Sequence, residues 1–180
     1  HGLALGAVGR IAAVVGMTEV NDKLFVVDNP ETDDFQLAGP DSPGYTPYPS
    51  GGTFTPLTYS DFCELTGADQ QDGTADEIDV TTVCSTAKEF EVGLSDSGTL
   101  TLNYNYAPNS TIQDAFRAAK KAGTEVAVRI TFPNNGGVIV MIGSIQQSSF
   151  TGANGQVWSG NTQLKLTGGG RDNKQFQDFV

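Results

Sequence analysis

The sequence predicts a mainly β protein with one covering helix. Three observations carry this prediction: several segments alternate apolar and polar residues, the 180 residues include 22 glycines and 8 prolines, and a single segment has helical spacing. Alternation with a period of two is typical of half-buried strands, and glycine and proline are typical of turns. We therefore expect short strands joined by turns, with one amphipathic helix packed on a sheet.

Residues 1–52 are predicted to form a small β-module. Leu24–Val27 and Phe35–Leu37 are compact apolar strand candidates with turn residues between them. Residues 39–52 are so rich in proline and glycine that they cannot hold a helix, and they mark a junction. The main domain is accordingly expected over residues 53–180.

The main domain contains further strand candidates. In chain order these are Thr53–Leu65, Ile78–Val80, Thr99–Tyr106, Glu125–Phe132, Val138–Ile145 and Gln163–Thr167. Residues 138–145 are apolar on both faces, which indicates a central strand, whereas residues 99–106 alternate strictly and should be half-buried. The polar, acidic segment 67–88 predicts a long loop that holds the short candidate at residues 78–80.

One helix is predicted between Ser110 and Gly123. Ser110 and Gln113 have the spacing of a capping box, and Gly123 is a typical residue for the end of a helix. Lysines in the last turn suit the helix dipole. The apolar positions that form the stripe facing the sheet are Ile112, Ala115, Phe116, Ala119 and Ala122.

The charge is strongly and unevenly negative. The net charge is −11, with 14 acids and 2 bases in residues 1–87 but 7 acids and 8 bases in residues 88–180. A protein that grips duplex DNA needs cationic groups that displace phosphate counterions, so this balance argues against tight DNA binding. No apolar run approaches the roughly 20 residues of a membrane helix, so we expect no membrane association.

Residues for catalysis or metal binding are scarce. The only histidine is His1, which excludes the usual Ser-His-Asp, Cys-His and zinc patterns, and no phosphate-binding glycine loop follows a strand. Cys63 and Cys84 belong to no metal motif, and free buried thiols are favoured over a bridge. We expect no cofactor and no enzymatic activity. Trp158 is interpreted as a core or sheet-edge residue in preference to a sugar platform.

An acidic cluster within residues 67–88 does not have the ligand spacing of a calcium site. Its members are Asp69, Asp72, Asp76, Glu77 and Asp79. Placing Gly73 at the sixth position of an EF-hand loop puts Ala68 at the first, so the ligand spacing fails. A solvated acidic segment is favoured over a metal site, and no pair of carboxylates stands out for a hydrolase.

The segment Ala75–Phe90 resembles the most characteristic stretch of the major tail tube proteins of long-tailed, lambda-like bacteriophages. The resemblance continues in order through Val92–Gly98, the helix at Asp114–Ala122, Ile130–Pro133 and Gln163–Gly168, and it spans about residues 53–168. It implies a β-sandwich with a flanking helix. It also implies a structural virion protein whose six copies form a ring, with stacked rings enclosing the conduit for DNA ejection.

Residues 1–52 have a resemblance of their own. His1-Gly-Leu, Val15–Asn21, Phe25–Val27 and Asp34–Leu37 are similar to a small β-barrel module of ubiquitin-activating enzymes that recurs as an insertion in phage virion proteins. This resemblance implies a module that projects outward and carries no catalytic role. It also implies that a first strand of the tube domain precedes His1.

The resemblance to tail tube proteins suggests three sets of assembly residues. The segment 67–88, with the acidic cluster defined above, would reach the neighbouring ring. The arm 169–180, through Phe176 and Phe179, would contact another subunit, with a frayed terminus as the alternative. Four acids expected on strands that flank the long loop are the candidates for the lumen, with the outer surface as the alternative location: Asp61, Glu64, Glu89 and Glu91.

The implied partners are further copies of the chain, the tape-measure protein, and the tail terminator and distal tail proteins. Double-stranded DNA would pass through without tight binding, and the protein would reside in the virion tail after assembly in the host cytoplasm. A cell-surface glycan-binding β-module on a structural scaffold is the alternative function.

Overall fold

The computed structural model describes residues 2–39, 42–134, 136–167 and 176–179. Its regular elements, in chain order, are β1 (Val8–Val15), a 3₁₀ turn (Thr18–Val20), β2 (Leu24–Asp28), β3 (Gln36–Leu37), β4 (Ser50–Pro56), β5 (Leu65–Gln71), β6 (Ala75–Asp79), β7 (Phe90–Ser95), β8 (Thr99–Asn105), α1 (Thr111–Ala122), β9 (Glu125–Thr131), β10 (Val138–Thr151), β11 (Ser159–Leu166) and β12 (Phe176–Phe179). The prediction of a mainly β fold with one α-helix is confirmed. None of the helices in the described part of the chain has the length and apolarity needed to cross a bilayer.

The strands form two larger sheets and one isolated ribbon, and every pairing is antiparallel. The small sheet has the order β3-β2-β1-β4 and the main sheet the order β12-β10-β11-β8-β5, with β9 on the other edge of β10. Strands β6 and β7 pair only with each other within the described residues. We call this pair the ribbon.

The main sheet is covered on both faces where β9 and β10 run, and on one face elsewhere. On one side, Leu100, Met141 and Leu164 belong to a buried cluster against which Phe116 of α1 packs. On the other side, a second buried cluster joins the two sheets and consists of Val8, Leu24, Val140 and Ile142. Face-to-face packing of two sheets is the arrangement of a β-sandwich. The small sheet has a further cluster of its own, formed by Val14, Val20 and Phe25.

The best-patterned strand predictions are confirmed. The central strand predicted at Val138–Ile145 is β10, which continues to Thr151 after a register shift between Ile145 and Gln147. Strand β8 buries Leu100, Leu102 and Tyr104 on one face, as the alternation predicted. Alternation works here because a single buried face determines which residues point inward.

The segment before β8 differs from the prediction. We expected a strand over Thr53–Leu65 and a loop over residues 67–88, but the chain leaves β4 at Pro56 and forms β5 and β6 inside the expected loop. Proline lacks the backbone donor that a ladder needs, so it suits the end of a strand. The polar residues of β5 pair through their backbones with β8, and such pairing needs no apolar side chains.

The loop 57–64 between β4 and β5 is held by two aromatic side chains. Tyr59 packs against the cluster between the sheets, and the Arg129 guanidinium lies 4.6 Å from the centre of its ring. Phe62 lies 5.2 Å from Tyr104 and 5.5 Å from Phe116, measured between ring centres. The loop therefore closes one end of the core below α1.

The predicted helix is confirmed, but its predicted capping box is wrong. Ser110 makes no side-chain cap, and Gly123 ends the helix in the left-handed conformation with φ of 66°. The Gln113 side chain turns inward and is 1% exposed. Its Oε1 accepts from the Ala107 amide at 3.1 Å, and its Nε2 donates to the Asn105 carbonyl at 3.0 Å. These bonds satisfy backbone groups in the β8–α1 connection. A capping pattern in the sequence does not show that these backbone groups need a partner.

We predict that Gln113→Ala lowers the free energy of unfolding by about 2 kcal/mol, because it removes a buried side chain and leaves a part-buried backbone donor and acceptor without their partner. Urea denaturation would measure the loss, and Gln147→Ala, at an exposed position on β10, is the matched control. Equal stability of the two variants would contradict the role assigned to Gln113.

Two other predictions concern the cysteines and the boundary between domains. Cys63 and Cys84 are free, but both are exposed, so the predicted burial is wrong: the neighbouring Phe62 is the loop residue that packs on the core, and Cys84 lies at the tip of the ribbon. The boundary at residue 52 between the two predicted domains stays a prediction. Strand β4 crosses it, pairing with β1, and the small sheet shares its buried cluster with β10.

Candidate functional site

The ribbon presents a row of apolar side chains to solvent. Phe90, Val92 and Leu94 alternate along β7 and are 48%, 82% and 89% exposed. Glu77 and Asp79 lie opposite Val92 and Phe90, on the same face of the ribbon. A two-stranded hairpin is marginally stable alone, and apolar rows of this kind mark contact surfaces. The ribbon therefore has the features of an element that is completed by a partner.

The tip of the ribbon is a polar turn around one exposed apolar residue. The Ser85 hydroxyl donates to the Glu89 carboxylate at 3.0 Å, and the Glu89 amide donates to Thr81 Oγ1 at 3.0 Å. Val83, at the tip, is fully exposed. Residues 75–95 contain five acids and one base, so the ribbon has a net charge of −4.

The base of the ribbon is fastened to the main sheet by an ion pair. Asp96, just after β7, pairs with Lys165 of β11 and accepts a hydrogen bond from the Gly98 amide at 3.2 Å. The Lys165 ammonium, followed by the Gly98 amide, lowers the pKa of Asp96 below its ordinary value of 3.8. Because the carboxylate is exposed, the pair orients the ribbon and adds little to stability.

We predict that this fastening is lost in acid. A carboxyl group whose pKa is lowered by folding stabilises the folded state above its unfolded pKa, and this contribution disappears as pH falls through the lowered value. Wild type should therefore exceed Asp96→Asn in urea midpoint at pH 7, and the difference should vanish well below pH 4. The exposed Asp33→Asn is the charge-matched control. A difference that is constant with pH would contradict the assignment.

A second candidate surface is the face of the main sheet that neither α1 nor the small sheet covers. Cross-strand partners share a face, so the register places one polar set together on β10, β11, β8 and β5. Its members are Gln147, Ser149, Thr151, Ser159, Asn161, Gln163, Lys165, Thr99, Thr101, Asn103, Asn105, Gly67, Asp69 and Gln71. We call this set the polar face.

The polar face is almost entirely uncharged. Asp69 and Lys165 are its only charged members and cancel each other. The Asn161 side-chain Nδ2 donates to Asn103 Oδ1 on the neighbouring strand at 2.8 Å. A face of amides and hydroxyls stays hydrated and offers no excess of cations to a polyanion.

The edges of the main sheet are open within the described residues. Strand β5 pairs only with β8 and β9 only with β10, so each has one edge whose backbone groups lack a strand partner. Such edges are templates for pairing with another chain. Strand β12 likewise pairs only with β10, so the described part of the molecule combines three open edges of the main sheet, a polar face and an apolar ribbon.

The structure distributes the sequence-predicted site residues over several elements. Asp61 and Glu64 lie in the loop before β5, Glu89 directly before β7, and Glu91 on β7. We expected all four on strands, but Glu91 alone is on one, because Asp61 and Glu64 lie in the loop between β4 and β5 and Glu89 lies in the turn between β6 and β7. The predicted inter-ring acids are divided between β5 (Asp69), the following turn (Asp72) and β6 (Asp76, Glu77 and Asp79).

The remaining predicted residues lie at the carboxyl end. Phe176 and Phe179 are the first and last residues of β12, whose backbone pairs with the start of β10. The rest of the predicted arm, residues 169–175 and Val180, lies outside the described residues. No group of three or more potential metal ligands occurs in the part of the chain that the structure describes.

Sequence reasoning did not select the ribbon's apolar row or the polar face as sites, although both were detectable. Phe90, Val92 and Leu94 have the spacing of one strand face, and the outward Thr and Asn residues of β8 were predicted. For the polar face, the missing information was the strand register, which aligns the outward residues of β8 with polar partners on β5 and β11.

The sequence model of a family described as phage tail tube protein matches residues 15–157. No curated protein sequence matches the chain. A chain from the tail of an empty gene transfer agent particle, refined with C6 symmetry, aligns with 13% identity and a TM-score of 0.48, over 65% of this chain and 83% of that chain. A chain from the virion of a native gene transfer agent aligns with 14% identity and a TM-score of 0.44, over 63% and 88%.

Proposed function

The chain belongs to the phage tail tube protein family, and from this membership we propose that six copies close into a ring and that stacked rings form the conduit for DNA ejection. A tail tube protein is a structural component of the phage tail that assembles with copies of itself into the tube, and it is not an enzyme. The hexameric ring and the role in ejection are the proposed parts.

The open edges of the main sheet are the observation that carries the proposal. Strands β5 and β9 each have an edge without a strand partner among the described residues. Joining such edges between neighbouring copies removes them, and a sheet continued around a ring becomes a closed barrel. A head-to-tail contact whose rotation closes gives a ring.

In this arrangement we assign the polar face to the lumen. Its two charges cancel, so a ring built from it has a nearly neutral wall of amides and hydroxyls that does not hold DNA. Asp61, Glu64, Glu89 and Glu91 stay predicted lumen acids. At physiological salt their field would decay over about 8 Å, so they would act only where they stand close to the passage.

The ribbon and the carboxyl end are assigned to contacts between subunits. The ribbon's apolar row would be buried against the neighbouring ring, together with the acids of β6. Phe176 and Phe179 would contribute from the arm. The tape-measure, tail terminator and distal tail proteins are the proposed further partners, and assembly is proposed to occur in the host cytoplasm. Residues 1–52 are proposed to form the outward module.

Negative-stain microscopy and sedimentation velocity over a range of protein concentrations test the proposal. We expect six-membered rings at low concentration and tubes of stacked rings at high concentration. A chain that stays monomeric throughout, or that forms closed assemblies with another symmetry, would overturn the hexameric arrangement.

A further inference from the structure

An exposed aromatic patch lies at one end of the main sheet. The rings of Tyr106 and Phe150 stack with 4.5 Å between their centres and 18° between their planes, and Trp158 lies 5.9 Å from Phe150. Phe150 is 57% exposed, Val157 76% and Trp158 47%. We call Tyr106, Phe150, Val157 and Trp158 the aromatic patch.

The aromatic patch is held in place by contacts within its own subunit. The Trp158 ring lies directly on Gly152, where an added Cβ would overlap it. The Tyr106 amide donates to the Trp158 carbonyl at 2.8 Å, which joins the two segments. The Arg117 guanidinium lies 5.9 Å from the centre of the Tyr106 ring. Preformed aromatic surfaces bind with a small loss of conformational entropy, and such residues are enriched at contact hot spots.

The aromatic patch and the ribbon lie at opposite ends of the main sheet. The ribbon connects the last residue of β5 to the first of β8, where Gln71 faces Thr99. The aromatic patch follows the other end of β8, where Asn105 faces Ser159. The seven residues of β8 separate the two ends by roughly 20 Å. A copy displaced along the strand direction therefore brings its ribbon towards the aromatic patch of the next copy.

We propose that the ribbon's apolar row in one subunit docks on the aromatic patch of a second copy of this chain in the adjacent ring. This inference rests on the proposed function, and it adds the receiving surface. The contact is heterologous, because two different patches meet, and it does not close when it is repeated along the tube axis. Each subunit therefore offers one donor and one receiver, as unlimited stacking requires.

Charge favours the same pairing. The ribbon has a net charge of −4, whereas the charged side chain at the aromatic patch is the Arg117 guanidinium of α1, which also pairs with Asp114 of the same helix. Opposite charges around an apolar contact fix its orientation and speed the encounter. A ribbon that met another ribbon would instead bring two acidic surfaces together.

Disulfide trapping in assembled tubes tests the pairing. In a chain with Cys63→Ser and Cys84→Ser, which removes both exposed thiols, we would combine Leu94→Cys with Val157→Cys. Mild oxidation of tubes should give a ladder on a non-reducing gel that extends well beyond six subunits, because each link joins one ring to the next. Leu94→Cys with Val15→Cys, whose second site is 55% exposed on the small sheet, is the matched control and should stay monomeric.

The outcomes separate the two proposals. Tubes that yield no cross-linked species, or as many with the control pair, overturn the docking site and leave the tube intact. A ladder that stops at six places the ribbon within its own ring and also overturns it. Failure of the unsubstituted chain to form rings or tubes at any concentration overturns the proposed function and the docking site together.

Discussion

Replacing Val92 and Leu94 by serine is expected to abolish tube growth and to leave the subunit folded. The two side chains are 82% and 89% exposed, so the isolated subunit buries little of them and its stability should change by less than about 0.5 kcal/mol. Burial of a Val or Leu side chain contributes about 1.5–3 kcal/mol. Losing both at each contact between rings should weaken stacking by roughly 10²–10⁴-fold.

The measurement is the concentration at which tubes appear, followed by sedimentation and microscopy, together with the thermal midpoint of the dissociated subunit. Val15→Ser on β1, also at an exposed apolar position, is the control and should assemble as wild type does. Tubes that form at an unchanged concentration would show that the apolar row of the ribbon is not a contact. A lowered thermal midpoint would show that this row stabilises the subunit itself.

The parts of the fold that the sequence predicted are those where one buried face decides the conformation. Strand β8, strand β10 and helix α1 each bury a periodic set of side chains, so periodicity located them. Gly123 was predictable for a different reason, because a left-handed helix end favours glycine.

The parts that the sequence did not predict depend on partners distant in the chain. Strand β5 has polar side chains and exists because β8 offers it a backbone ladder. Gln113 matches a local capping pattern, but its side chain points inward, where it forms hydrogen bonds with the backbone groups of Asn105 and Ala107. Neither the pairing of β5 with β8 nor the inward hydrogen bonds of Gln113 can be predicted from the few residues on either side.

The sequence predicted which segment forms the candidate site, but not which of its side chains are exposed on one face. The resemblance at Ala75–Phe90 pointed to the correct family and to the segment that forms much of the ribbon. The acids of that segment were selected because charge is conspicuous in a sequence. The apolar row on β7 was not selected, since its exposure becomes evident only when no second layer covers the ribbon.

Replacing Tyr104 by alanine should have the largest effect on the stability of the subunit, a loss of about 3–5 kcal/mol in the free energy of unfolding. The side chain is 3% exposed, and its ring lies 5.2 Å from Phe62 and 6.5 Å from Phe116 between centres. Its hydroxyl bonds to that of the buried Thr162 at 2.9 Å. Removing the ring opens a cavity where the loop 57–64, α1 and the sheet meet. Urea denaturation measures the loss.

A double-mutant cycle with Gly160 makes this prediction specific to the packing of the ring. Gly160 faces Tyr104 across the β8–β11 pair, and an added Cβ would overlap the tyrosine ring, so Gly160→Ala alone should cost about 1–3 kcal/mol. In the Tyr104→Ala background the overlap is gone and the methyl group fills part of the cavity, so the same substitution should cost little or stabilise. Residues in contact show such coupling, whereas the stability effects of substitutions at independent sites add.

Tyr48→Ala, at a side chain 56% exposed, is the control for loss of a tyrosine and should lower the free energy of unfolding by under about 1 kcal/mol. Additive effects of Tyr104→Ala and Gly160→Ala on the free energy of unfolding would contradict this prediction. They would mean that the missing side chain at Gly160 is not the reason the Tyr104 ring fits there.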